Sequence, residues 1–160
     1  MTNFASLLAL LGKHKVEFIV VGGAAAIAHG SARLTQDLAI VYDRSSENID
    51  RLVAALKDEK PYLRGAPPGL PFFWDRLTML RGLNFTLTTS LGDIALLGEI
   101  PGGGTYSELK NNAIELNIFH TPCLCLSLTQ LIRAKRAAGR PKDLEALAEL
   151  EAIAETASEG

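Results

Sequence analysis

Residues 16–40 constrain the fold more than any other part of this chain. Val16-Glu17-Phe18-Ile19-Val20-Val21 is an apolar run that ends at Gly22-Gly23. An alanine-rich stretch follows from Ala24 to Ser31, and a second apolar run, Gln36-Asp37-Leu38-Ala39-Ile40, carries an acid. Val and Ile in a short run predict a buried strand. The alanines predict a helix over 23–29, broken at Gly30-Ser31. The segment therefore reads as strand, tight turn, helix, strand. Gly22-Gly23 lets the backbone approach a phosphate, and a helix N-terminus favours anions.

The rest of the chain extends this α/β pattern. Phe4, Leu7, Leu8, Leu10 and Leu11 recur at helical spacing. Ser45 is placed to cap a helix running to about Lys57, with Ile49, Leu52, Val53 and Leu56 on its apolar face. Residues 61–72 hold four prolines and read as a loop. Strands are expected over 83–87, 94–97, 114–119 and 122–126, with a short helix over 106–111. Ser127-Leu128-Thr129-Gln130 is a capping box, so a helix starts there and stops at Gly139. Pro141 suits the first turn of a last helix that turns Leu144, Leu147, Leu150 and Ile153 inward. Its tail after Glu155 is expected to fray.

The 160 residues can bury a real core, and 48% of them are hydrophobic. No linker divides them, so one domain over 1–160 is expected, a mixed sheet of about four to six strands flanked by helices. A net charge of -2 means that any nucleic-acid contact must come from a local basic patch. No apolar run reaches the ~18 residues of a membrane span. No signal peptide is evident at Met1-Thr2-Asn3-Phe4, which makes the cytoplasm the expected location. Cys123 and Cys125 share a strand face and read as small buried residues. Phe72, Phe73 and Trp74 read as core closing the proline-rich loop, with a stacking surface as the other option.

The Gly-Gly turn followed by Thr35-Gln36-Asp37-Leu38-Ala39 resembles the nucleotidyltransferase superfamily, the polymerase-beta-like fold. Its pattern is Gly-Gly or Gly-Ser, about a dozen residues, then Asp-x-Asp. Two acids at i and i+2 on a strand share a face and can hold two Mg²⁺ over a triphosphate. Here Asp37 is present and the second position holds Ala39. The family's third acid precedes a Leu-Leu-Gly-Glu-like turn. In Gly92-Asp93-Ile94-Ala95-Leu96-Leu97-Gly98-Glu99 that register falls on Ala95. Alanine thus stands at two of three expected acid positions while the flanking residues match. Drift rarely removes only the carboxylates, so we read the chain as deliberately inactivated, with a natural degenerate homologue as the alternative. Asp93, two residues back on the same face, could rescue metal binding only poorly.

A second match is Arg133-Ala134-Lys135-Arg136-Ala137-Ala138-Gly139-Arg140-Pro141-Lys142-Asp143. It is similar to the Lys…Arg-x-Lys-Asp motif of the bacterial nucleotidyltransferase toxins of toxin–antitoxin and abortive-infection systems. The resemblance implies Mg²⁺ as cofactor, an NTP substrate, a tRNA or protein acceptor and an antitoxin partner. It implies that Asp37, Ala39 and Ala95 occupy the catalytic positions, with Asp37 the surviving metal ligand. Gly22 and Gly23 become the phosphate cradle and Lys135 a phosphate contact, with Lys142 and Asp143 near the base or acceptor. Asp143 could instead be an ion-pair partner. Arg33 could reach a phosphate, and Thr35 beside it serves the nucleotide or merely suits a strand. A non-catalytic module binding a nucleotide or antitoxin in the same cleft is the rival reading.

Overall fold

A computed structural model describes residues 2–159 in backbone and 2–156 in side chains. The chain runs α1 (Phe4–Lys13), β1 (Phe18–Val21), α2 (Gly22–Ala28), β2 (Asp37–Tyr42), α3 (Ser46–Leu56), a 3-10 turn (Lys57–Glu59) and β3 (Tyr62–Leu63). It continues with α4 (Arg76–Arg81), β4 (Phe85–Thr89), β5 (Gly92–Leu97), β6 (Glu99–Ile100), β7 (Gly104–Thr105) and α5 (Tyr106–Lys110). The final elements are β8 (Ile114–Ile118), β9 (Thr121–Cys125), α6 (Leu128–Ala138) and α7 (Pro141–Glu159).

Seven strands form one mixed sheet in the order β3-β4-β5-β2-β1-β9-β8, and β6 pairs with β7 in a separate ribbon. This is one strand more than the upper expectation. The extra strand is β3, a two-residue piece inside the segment expected to be loop. Tyr62 and Leu63 pair there with Thr88 and Leu87. β1 is antiparallel to β2 and parallel to β9, and β2 is parallel to β5. The strand expected over 83–87 begins two residues later, because Gly82 ends α4 and Leu83 lies over Gly98.

Alternation along β2 and β5 sorts the side chains. Leu38, Ile40, Ile94 and Leu96 share one face and are fully buried. Asp37, Ala39, Asp93 and Ala95 share the other. Helices α1, α3 and α4 pack on one another, and α2, α6 and α7 form a second group. The capping box at Ser127 and Gln130 is formed, and Gly139 takes φ +64 at the end of α6.

In α7 the expected inward stripe holds at Leu150 and Ile153 and fails at its start. Leu144 is 53% exposed, while Asp143, Ala146 and Leu150 are buried. Spacing alone favoured the leucine; a fully paired carboxylate took the inward position instead (below). The helix also continues past Glu155 to Glu159.

Asn48 ties α3 to the sheet and is fully buried. Its Oδ1 accepts from the Glu17 N–H at 2.6 Å. Its Nδ2 donates to the carbonyls of Glu17 and Asp43 at 3.0 and 2.8 Å. Asn48→Ala leaves all three backbone groups without this partner. The expected cost is about 2–4 kcal/mol, since each orphaned buried group carries a desolvation penalty. Thermal unfolding should register it as a fall of roughly 5–10 °C.

Candidate functional site

The glycine pair is where β1 turns into α2, and each glycine has a separate steric reason. Gly22 sits at φ +64, in the left-handed region that costs other residues roughly 1–2 kcal/mol. A Cβ on Gly23 would stand 2.5 Å from Thr35 Oγ1 and 2.6 Å from Thr35 Cβ. Thr35 therefore packs directly on the turn, and its hydroxyl donates to the Asp37 carbonyl at 3.3 Å. Gly23→Ala should destabilise by about 1–3 kcal/mol, the usual cost of overpacking, read as a lower midpoint in denaturant.

Below this turn the register brings the expected acid positions together. Ala39 pairs with Val21 on one side and with Ala95 on the other. Asp37 pairs with Asp93 one step along. Adjacent strands lie about 4.8 Å apart, so positions 37, 39, 93 and 95 form a compact square on one face. A Cβ on Gly22 would stand 3.3 Å from Ala39 Cβ, so the turn lies directly against position 39. Asp93 is engaged elsewhere, with Arg64 Nε 3.4 Å from its Oδ2.

An open cleft of about 450 Å³ lies over this face. Gly22, Gly23, Arg33, Thr35, Asp37, Ala39, Ala95, Lys135, Lys142 and Asp143 all line it. Every residue expected at the site from sequence thus borders one cavity. Its apolar wall comes from Ala26, Leu126, Leu131, Ala134 and Ala146. Leu34 stands at its rim, 99% exposed.

The cationic side of the cleft is organised by α7. Asp143 is fully buried, yet it carries a charge because four donors from Lys135 and Arg140 surround it. Lys135 Nζ is 3.2 Å from Oδ1, Arg140 Nε is 2.6 Å from Oδ2, and the Arg140 N–H reaches Oδ2 at 3.3 Å. Burial pushes the carboxyl pKa up. The hydrogen bonds from Arg140 and Lys135 outweigh this and hold it below the ordinary value. Lys135 is 20% exposed, whereas Arg140 remains 60% exposed. Lys142 is exposed at the cleft mouth.

Sequence reasoning missed two acids here. Glu149 Oε1 accepts from Ser31 Oγ at 2.5 Å, and its Oε2 accepts from the Ala32 N–H at 3.1 Å. Glu145 lies 3.7 Å from Arg33. The Ser31 bond, then the Ala32 N–H, lowers the Glu149 pKa. No local pattern joins residues so far apart in sequence; only the inward stripe of α7 through Asp143 and Ala146 hints at an acid facing the cleft.

The two cysteines stay outside the cleft. Both are free and buried, and burial pushes their thiols up to about 11 for Cys123 and about 12 for Cys125. Thiols of this kind are poor nucleophiles and poor metal ligands at neutral pH. Trp74 is partly buried and donates to the Val53 carbonyl at 2.9 Å. Phe72 packs against the core, while Phe73 is 70% exposed, so the aromatic trio divides between core and surface.

Three solved structures share this architecture. The lincosamide antibiotic adenylyltransferase LnuA, solved with lincomycin bound, matches at TM-score 0.61 and 18% identity over 95% of this chain and 98% of its own. The fold is that of the nucleotidyltransferases. A Thermotoga maritima protein described as a nucleotidyltransferase matches at TM-score 0.56 and 15% identity, over 89% of this chain and 86% of its own. ANT(2")-Ia, in complex with adenylyl-2"-tobramycin, matches at 0.53 and 14%, over 92% and 90%. No family model and no curated protein sequence matches the chain.

The nucleotidyltransferase fold raises the question of a metal, and the donor set answers it. On the strand face one carboxylate, Asp37, lines the cleft, methyl groups stand at 39 and 95, and the other two lining acids, Asp143 and Glu149, are already hydrogen-bonded to Lys135 and Arg140 and to Ser31 and Ala32. Among the described residues no group of three His, Cys, Asp or Glu side chains is placed to hold a metal ion. These residues do not fit a two-Mg²⁺ site, which needs several hard oxygen ligands. Among the described residues, no helix is long and apolar enough to cross a membrane.

Proposed function

We propose that this chain is one nucleotidyltransferase domain spanning 1–160 and inactivated at its carboxylates. Its parent activity is Mg²⁺-dependent transfer of a nucleoside monophosphate from an NTP to a hydroxyl or amine, with release of pyrophosphate. The observation that carries this reading is the square of Asp37, Ala39, Asp93 and Ala95 beneath the Gly22-Gly23 turn. Gly22 and Gly23 admit the phosphates, and Arg33, Lys135 and Lys142 neutralise them. Asp143 orders Lys135 rather than touching the base. Asp37 is the remaining metal ligand, and the chain as written does not turn over. The acceptor is a tRNA or a protein, the cellular role is that of a cytoplasmic toxin, and the natural partner is an antitoxin.

The donor set favours one rival: a binding module that holds a nucleotide or an antitoxin without chemistry. Placing aspartate at 39 and 95 separates the two. The double variant is incubated with labelled NTPs, Mg²⁺ and either bulk tRNA, protein, or hydroxyl-rich antibiotics of the kind in the LnuA and ANT(2")-Ia complexes. Label transfer to tRNA or protein supports the proposal. Transfer to the small molecules alone replaces the acceptor, and no transfer favours the binding module.

A further inference from the structure

The segment Ser31–Thr35 joins α2 to β2 without regular structure, and four of its residues line the cleft: Ser31, Arg33, Leu34 and Thr35. Such a segment faces one way only if something outside it holds it. Glu149 does this from α7. One oxygen takes the Ser31 hydroxyl at 2.5 Å and the other takes the Ala32 N–H at 3.1 Å. Ser31 Oγ in turn accepts the Arg33 N–H at 3.1 Å, and Ser31 is 9% exposed. A single carboxylate thus orders a chain of donors that ends at Arg33.

Charge alone assigns Glu149 the opposite effect. It lines the same cleft, and a carboxylate facing a triphosphate repels it. Its two hydrogen bonds spread that charge onto neutral donors of the segment. We propose that Glu149 is a positioning residue: it fixes Ser31–Arg33 so that Arg33 faces the nucleotide, and so couples the docking of α7 to nucleotide affinity. The inference rests on the nucleotide reading of the cleft. It differs from a plain electrostatic role in sign, since removing a repulsive charge tightens binding and removing a positioning residue weakens it.

The test uses the full chain, Glu149→Ala, Glu149→Gln and Ser31→Ala. ATP, CTP, GTP and UTP are titrated with Mg²⁺ by calorimetry, and amide exchange is followed in the free proteins. Expected is a loss of roughly tenfold in affinity for the tightest NTP in Glu149→Ala, the scale of one lost charge-assisted contact. Smaller losses are expected for Glu149→Gln, which keeps one acceptor, and for Ser31→Ala. Exchange at the Ala32 and Arg33 amides should quicken about tenfold while Val20 and Ile40 stay protected. Tighter or unchanged binding in the Glu149 variants overturns the proposal, as does unchanged exchange at Ala32 and Arg33. If the parent chain binds none of the four NTPs, the cleft reading fails and the coupling fails with it. If the parent binds and the variants bind equally, only the positioning role fails. Should Glu149→Ala not fold, Glu149→Gln and Ser31→Ala decide the same question.

Discussion

Ala39→Asp combined with Ala95→Asp should turn a magnesium-indifferent chain into a magnesium-dependent one. The parallel register sets residues 39 and 95 side by side, with Asp37 two residues away on the same strand face. Three carboxylates would then converge on one patch. Without metal they repel, and like charges opposite one another in a sheet cost up to about 1 kcal/mol per pair. The double variant in chelator should therefore melt below the parent. Added Mg²⁺ should reverse the loss, because an ion held only by the folded state stabilises that state. The parent, with one carboxylate on the strand face and with Asp143 and Glu149 already hydrogen-bonded, should melt at the same temperature with or without Mg²⁺. Turnover should rise by at least about a thousandfold where an acceptor is found, since metal ligation supplies several kcal/mol of charge stabilisation in the transition state. Melting curves in chelator and in Mg²⁺ check the first part without any knowledge of the acceptor. If the melting temperatures of the double variant coincide in the two conditions, the carboxylate register is wrong.

The second large effect is expected at Asp143. Removing it leaves Lys135, which is only 20% exposed, beside a void where its counter-charge was. Arg140 is 60% exposed and recovers hydration, so it adds less. Breaking one partner from a buried pair costs about 3–5 kcal/mol, and the solvated arginine places Asp143→Ala near the lower end, about 3 kcal/mol. Asp143→Asn keeps the shape and one acceptor and should lose less. The pH dependence follows from the depressed carboxyl. A carboxyl held below its ordinary pKa contributes fully above about pH 4, the unfolded value. That contribution fades as pH falls through the lower folded value. Urea unfolding of parent and Asp143→Ala should differ most at neutral pH and converge in strong acid. A gap that persists at pH 2 would mean that packing, not charge, is the source.

Much of this was legible in the chain because its signals are local. The capping box at Ser127 reads directly as the start of α6, and Gly139 as its end. The run from Val16 to Ile40 gives two strands and a helix because burial on both faces demands Val and Ile. What escaped reading depends on distant partners. Two-residue β3 has no pattern of its own and exists because Leu63 finds Leu87. Leu144 belongs to an apolar stripe by spacing, yet Asp143 turns inward because Lys135 and Arg140 wait there. Glu149 is one acid among several on α7 until Ser31 arrives across the fold. The cleft was readable where backbone geometry makes it, at Gly22, Gly23 and the β2 face, and unreadable where ion pairs between remote segments finish it.

The pairing of β1 with β9 has a consequence for how the molecule comes into being. Val20 lies beside Cys125, so β1 waits about a hundred residues for its second neighbour. During synthesis Lys135, Asp143 and Glu149 leave the ribosome more than a hundred residues after the glycine turn. Pairings of such long range close slowly, since loop entropy is lost before any contact repays it. A growing chain therefore carries half a cleft, with phosphate turn but no cationic wall. Whatever needs both walls of the cleft binds only after residues 135–149 have been made and have folded back onto the turn.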